Sequence, residues 1–254
     1  MRFFVIFLQC FFSFTLHGQS HWALAVLGDS VSVASHAEHW DDSPEYSWAT
    51  GDEISSIKVK IQEAGARVIG LNVAESGAVM GDLAQQVESL IDIGEGVDQA
   101  MILMGHNDVC HWGFDVQQEN YEELAGTLKS SLQRLSEVYP DVEIYILEFL
   151  NIARVREIGL DRYFCQMKWD FADFCPIFMS SSSTDEERQL FLKSWSLAQN
   201  YLKSVAEEFS NVRWVDGLSK IPLEDQHVSS LDCIHPSRQG QQLLADQVWL
   251  RLNE

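Results

Sequence analysis

The stretch Trp22-Ala23-Leu24-Ala25-Val26-Leu27-Gly28-Asp29-Ser30-Val31-Ser32 decides how this chain is read. An apolar run from Trp22 to Leu27 stops abruptly at Gly28-Asp29-Ser30. A short apolar run bounded by a turn signal reads as a buried strand, here with a serine at its exit. In an open parallel sheet, ligands bind outside the carboxyl ends of the strands, so Ser30 stands at the lip of a crevice. A helix beginning just after it would add a positive N-terminus that favours developing negative charge. Taken alone, the triplet reads better as the turn-and-cap serine of any strand-to-helix junction. The weight of Ser30 therefore depends on the rest of the chain.

Outward from this stretch the pattern alternates. Arg67–Leu71, Ala100–Met104, Val142–Phe149 and Val212–Val215 are further strand candidates. Residues 53–64 read as a helix. Residues 81–93 place Leu83, Val87, Leu90 and Ile91 on one helical face, and 116–138 do the same with Tyr121, Leu124, Leu128, Leu132 and Leu135. Thr184-Asp185-Glu186-Glu187 is a capping box that opens a helix to about Phe209, and Pro236 to Leu252 forms the last one. Residues 33–52 and 151–183 read as irregular. Strands alternating with helices predict an α/β fold, a parallel sheet covered on both faces. No linker or internal repeat divides the chain, so residues 19–254 are expected to form one domain.

The first 18 residues are expected to be a secretory signal. Met1-Arg2 precedes a nearly unbroken apolar run, Phe3 to Leu16, too short for a comfortable membrane span, and small and polar residues follow. No later segment is long and apolar enough to cross a bilayer. Removing the leader removes Cys10 and leaves Cys110, Cys165, Cys175 and Cys233, which in an exported chain suggest two disulfides with three connectivities open. The formal charge of −21 over 254 residues argues against nucleic acid and anionic membrane surfaces as partners.

Three further blocks sit where strands end. Asn72-Val73-Ala74-Glu75-Ser76-Gly77-Ala78 follows the second strand, and Gly77 lets a backbone N–H approach a ligand with no Cβ in the way. Met104-Gly105-His106-Asn107-Asp108 closes the third, where the Asn107 amide can donate to an oxyanion. Leu231-Asp232-Cys233-Ile234-His235-Pro236 follows the last strand. Three residues apart at a chain turn, Asp232 can hold one ring nitrogen of His235 and leave the other free as a general base. Together the four blocks supply a nucleophile, a base, its orienter and oxyanion donors, the parts of acyl transfer.

In order and spacing these blocks resemble those of the SGNH, or GDSL, hydrolases. The resemblance implies a flavodoxin-like three-layer α/β/α sandwich with a central parallel sheet and no metal cofactor. It implies Ser30 as nucleophile, His235 as base, Asp232 as its orienter, and Ser30 N–H, Gly77 N–H and the Asn107 amide as the oxyanion hole. Asn107-Asp108-Val109-Cys110-His111-Trp112, Asp232-Cys233-Ile234-His235-Pro236-Ser237 and Tyr46-Ser47-Trp48-Ala49-Thr50-Gly51 are most similar to the phospholipase B branch.

Two other groups invite a role. His36, His39, Asp41, Asp42 and Glu45 match no metal-ligand spacing and are expected to form a solvated loop beside the site. Around Cys165 and Cys175 lies an aromatic stretch that includes Trp169, Phe171 and Phe174. It reads either as a lid or acyl-chain groove or as a satellite core under a long loop. A disulfide from Cys110 or Cys233 to this stretch would pin it over the site, and a Cys165–Cys175 bridge would close it on itself. The expectation is an exported serine esterase acting on lipid or small-molecule esters without a cofactor. The alternatives are a carbohydrate O-acetylesterase and a non-catalytic lipid or glycan binder.

Overall fold

The computed structural model describes residues 21–113, 116–172 and 174–254, so the expected leader over 1–18 lies outside the described residues. Five parallel strands, β1 (Trp22–Gly28), β2 (Val68–Asn72), β3 (Gln99–Leu103), β4 (Glu143–Leu147) and β5 (Val212–Val215), form one sheet in the order β2-β1-β3-β4-β5. β3 is buried along its whole length and β1 beyond its first residue, as parallel strands covered on both faces must be.

The chain steps from β1 to β2 in one direction, then crosses back to β3 and continues to β5 in the other. Right-handed crossovers therefore put the first connecting helix on one face and the later ones on the opposite face. α2 (Leu83–Ile93), α4 (Gln118–Val138) and α8 (Asp185–Ala206) pack side by side. α1 (Ile57–Glu63) packs with the C-terminal α9 (Arg238–Leu252). The result is a three-layer α/β/α sandwich. α4 turns Tyr121, Leu124, Leu128, Leu132 and Leu135 inward, the stripe its 3.6-residue period dictates. α8 starts at its capping box, where the Thr184 hydroxyl accepts from the Glu187 N–H at 3.2 Å and the Glu187 carboxylate accepts from the Thr184 N–H at 2.6 Å.

The region after β4 departs from the expectation. Residues 151–183 are not irregular: they hold α5 (Ile152–Leu160), α6 (Cys165–Ala172) and α7 (Pro176–Met179). α6 carries apolar residues on both sides, Cys165 and Trp169 buried, Phe164, Met167 and Phe171 exposed around it. Its apolar residues alternate with Gln166, Lys168 and Asp170, a period of two that carries no 3.6-residue helical stripe, which is why the pattern hid it. Trp169 is packed hard against α5, where a Cβ on Gly159 would lie 2.4 Å from its ring.

Two disulfides tie this helical cap to the site blocks: Cys110 with Cys175, and Cys165 with Cys233. They close separations of 65 and 68 residues, so the loop-entropy account gives each about 4 kcal/mol. A thiol reductant should then lower the melting temperature by roughly 10 °C or more. An unchanged melt with and without reductant would show that the bridges do not support the fold. Among the described residues no helix is long and apolar enough to cross a membrane.

Candidate active site

The order β2-β1-β3 makes the gap beyond β1 and β3 the topological switch point, because the chain leaves these neighbours in opposite directions. That crevice brings together blocks distant in sequence. Gly28 ends β1 under Leu103 of β3: a Cβ there would meet the Leu103 carbonyl oxygen at 2.4 Å and the Ser32 hydroxyl at 2.7 Å. The buried Gln86 amide of α2 closes both backbone groups of Gly28, accepting its N–H and donating to its carbonyl, each at 2.8 Å. Asp29 is buried beneath the turn. Its Oδ1 accepts the Val31 N–H at 3.0 Å, and its Oδ2 lies 3.0 Å from His106 Nδ1.

No helix follows Ser30. The backbone passes through successive turns, with Ala34 and His36 in the left-handed region at φ 53° and 56°. Ser30 therefore has no helix N-terminus behind it. The turns instead fold residues 34–37 back over the final block, where Ala37 O accepts the Arg238 N–H at 3.1 Å.

The His235 Nε2 lies 2.7 Å from the Ser30 hydroxyl. The His235 Nδ1 donates to Oδ2 of Asp232 in a short hydrogen bond. The Asp232 carboxylate is buried, and its Oδ1 accepts the Ile234 N–H at 2.9 Å and the His235 N–H at 3.1 Å. Between them Cys233 takes a left-handed conformation, φ 65°, which lets a three-residue spacing close on itself. The Cys165 disulfide anchors that kink. Burial pulls the His235 imidazole down, but the charge and hydrogen bond of Asp232, helped by Asp29 and Asp42, outweigh it and hold the group above the ordinary histidine value. Burial pushes the Asp232 carboxyl up, and its pairing with His235, its backbone donors and His36 bring it below the usual range.

The second and third blocks are stapled to each other beside this line. The Asn107 amide, on the short α3 (His106–His111), donates to Ala78 O at 2.9 Å, and Asp108 Oδ2 accepts the Met80 N–H at 2.8 Å. Gly77 is left-handed at φ 80°, a conformation that favours glycine over residues with a Cβ. Next to it the Ser76 hydroxyl is bound to Asp42, which also accepts from Ser35.

The aromatic stretch divides three ways. Trp169 is only 1% exposed, so its indole is a strut under the cap. Phe171 is 92% exposed. Phe174 sets its ring edge-on to His235, with centroids 6.4 Å apart.

The structure brings in one residue that the sequence pattern places in a solvated loop. His36 stacks on the His235 ring at 5.3 Å between centroids and 22° between planes, and its Nδ1 lies 3.3 Å from Asp232 Oδ2. Neither it nor Asp42 is merely solvated. No spacing could have found His36, because its partners lie about two hundred residues away. Among the described residues, His36, Asp232 and His235 form the group whose ligating atoms come within 4.8 Å of one another, the span a metal ion would need. Both Asp232 oxygens already receive protein donors.

Over residues 24–248 the sequence matches the GDSL-like Lipase/Acylhydrolase family. The chain belongs to that family. The fold agrees with it. An acetylxylan esterase from Geobacillus stearothermophilus superposes with a TM-score of 0.57 at 18% identity, covering 92% of this chain and 95% of that one. The psychrotrophic esterase EstA from Pseudoalteromonas sp. gives 0.52 at 13% identity, covering 91% and 96%. By sequence the chain is similar to mouse membrane-associated phospholipase B1, 25% identical over 137 residues. That is 50% of this chain and 9% of the relative, so the chain aligns with a small part of that protein.

Proposed function

We propose that this protein is an exported serine esterase that hydrolyses carboxylic esters, with lipid acyl esters as its substrates. The observation that carries the reading is the continuous line Ser30 Oγ, His235 ring, Asp232 carboxylate, with 2.7 Å between Oγ and Nε2. In it Ser30 attacks the ester carbonyl while His235 Nε2 takes the hydroxyl proton. Asp232 holds the Nδ1 proton and stabilises the imidazolium. The tetrahedral oxyanion is received by the Ser30 and Gly77 N–H groups and the Asn107 amide. His235 then protonates the leaving alcohol, water attacks the acyl-enzyme with His235 again as base, and the acid is released.

Two disulfides support an oxidising compartment. Exposed apolar side chains on the cap support a lipid: Leu160, Tyr163 (91% exposed), Phe164, Met167 and Phe171 crowd one short stretch of it. The second reading, carbohydrate acetyl esters, is favoured by the likeness to the acetylxylan esterase.

Hydrolysis of p-nitrophenyl esters from acetate to palmitate, with fluorophosphonate labelling and mapping of the modified peptide, tests both. Rates rising with chain length and a label on Ser30 are expected. Preference for acetate would move the substrate to carbohydrate esters. Absence of both turnover and label would leave a binder on this fold.

The raised His235 also sets the pH profile. The base must be neutral, so kcat/KM falls on acidification through a midpoint above about 6.5, the ordinary histidine value. A rate still undiminished at pH 5.5 would remove His235 from the role.

A further inference from the structure

The final block does not orient His235 alone. The ring has two aromatic neighbours: Phe174 edge-on at 6.4 Å, and the nearly parallel face of His36 at 5.3 Å. Such ring pairs fall within the separations that aromatic side chains favour. His36 is itself firmly held. Its carbonyl accepts the Ser229 hydroxyl at 2.6 Å, its N–H donates to Asp41 O at 3.3 Å, and Trp40 covers its outer side edge-on at 6.0 Å. Ser229 completes the link, since its N–H donates to the His235 carbonyl at 2.8 Å. The left-handed backbone at His36, φ 56°, is a conformation that histidine tolerates better than most residues. It turns the imidazole inward over the carboxylate.

We infer that His36 is a positioning residue for the reaction, a second imidazole that fixes the plane of the His235 ring and lies against the Asp232 carboxylate. The inference rests on the reading of Ser30, His235 and Asp232 as an acyl-transfer triad. The stack keeps Nε2 aimed at Ser30 and covers that face of the ring against water. The contact between His36 Nδ1 and Asp232 Oδ2, 3.3 Å without hydrogen-bond geometry, places the ring dipole beside the carboxylate. It stabilises the anion and moderates how strongly Asp232 holds the proton on His235.

The charged groups around His36 are Asp232, His235, Asp41 and Asp42. Burial lowers its affinity for a proton, His235 opposes a second positive charge, and the three carboxylates work the other way without reversing the result. At neutral pH His36 is therefore uncharged, and His235 is free to become the imidazolium.

Two substitutions separate the parts. His36→Phe keeps a ring for the stack and removes the nitrogen. Asp232 then holds the His235 proton more tightly, so the acid limb of kcat/KM should move up by about 0.5 pH unit while the plateau kcat stays within about threefold of wild type. His36→Asn keeps a polar group, suits a left-handed backbone and removes the stack. It should lower kcat about tenfold, with KM unchanged, because a loosely aimed base loses reactive geometry. The fluorophosphonate labelling rate should fall in parallel with kcat. If both variants keep the wild-type acid limb, and kcat falls only as far as their melting temperatures explain, His36 is packing and the inference is overturned. Wild-type kcat and pH profile in both variants would also overturn it. A wild-type protein that neither turns over esters nor labels would instead refute the triad reading, which keeps the two failures distinct.

Discussion

Ser30→Ala should abolish ester hydrolysis, lowering kcat by about 10⁴-fold or more while the protein melts within a degree or two of wild type. The reasoning starts from what the hydroxyl touches. It is the group 2.7 Å from His235 Nε2, at the open end of a turn whose backbone is held by others: Gln86 on Gly28, and Asp29 on Val31 and His106. Removing Oγ takes away one hydrogen bond from a partly exposed position and leaves His235 on Asp232. The fold therefore loses little, and the reaction loses the atom that must bond to carbon. The remaining turnover is what an oxyanion site and a bound water supply. Side-by-side kinetics and melting curves check this, with the fluorophosphonate label expected only on wild type. A variant within tenfold of wild type would show that Ser30 is not the nucleophile.

Asp232→Asn should cost nearly as much, about 10⁴-fold in kcat, in a protein that still folds. The carboxylate is buried and receives three donors: the Ile234 and His235 N–H groups on Oδ1 and the imidazole on Oδ2. An amide of the same size keeps an oxygen for the two backbone N–H groups. Its NH2 then faces His235 Nδ1 and donates instead of accepting. The imidazole must carry its proton on Nε2, where it points at Ser30 and cannot take the hydroxyl proton. A loss in kcat with KM unchanged identifies the wrong tautomer. A loss accompanied by a large fall in melting temperature would instead make Asp232 chiefly a structural anchor of the last loop.

Much of this was legible in the chain because it is local. A run such as Trp22–Leu27 must be buried, and a Gly-Asp-Ser that ends it must lie at a strand exit. The Thr184 capping box marks the start of α8 to the residue, and the stripe from Tyr121 to Leu135 marks the inner face of α4. Three of the four chemical blocks were found for the same reason, since each follows an apolar run; the last, Leu231–Pro236, lies well beyond β5 and was found from its Asp232–His235 spacing. Their convergence on one crevice rested on strand order, which the alternation of elements restricts to a few topologies.

Other features had no local signature. The helices of residues 151–183 were missed because α6 alternates apolar and polar residues and shows no helical period. The bridges Cys110–Cys175 and Cys165–Cys233 were one of three pairings. The Asp29–His106 contact, the reciprocal Gln86–Gly28 bonds and the placing of His36 over His235 join residues far apart in sequence. By itself the sequence determined the strands and the amphipathic helices, which family the chain resembles and which side chains can do acyl-transfer chemistry, because burial and turn formation act over a few neighbouring residues. The tertiary structure alone decided which cysteines pair, what supports the Gly28-Asp29-Ser30 turn and which imidazole lies against the Asp232–His235 pair. Those contacts arise only when the sheet is closed and its switch point brings distant loops within hydrogen-bonding range.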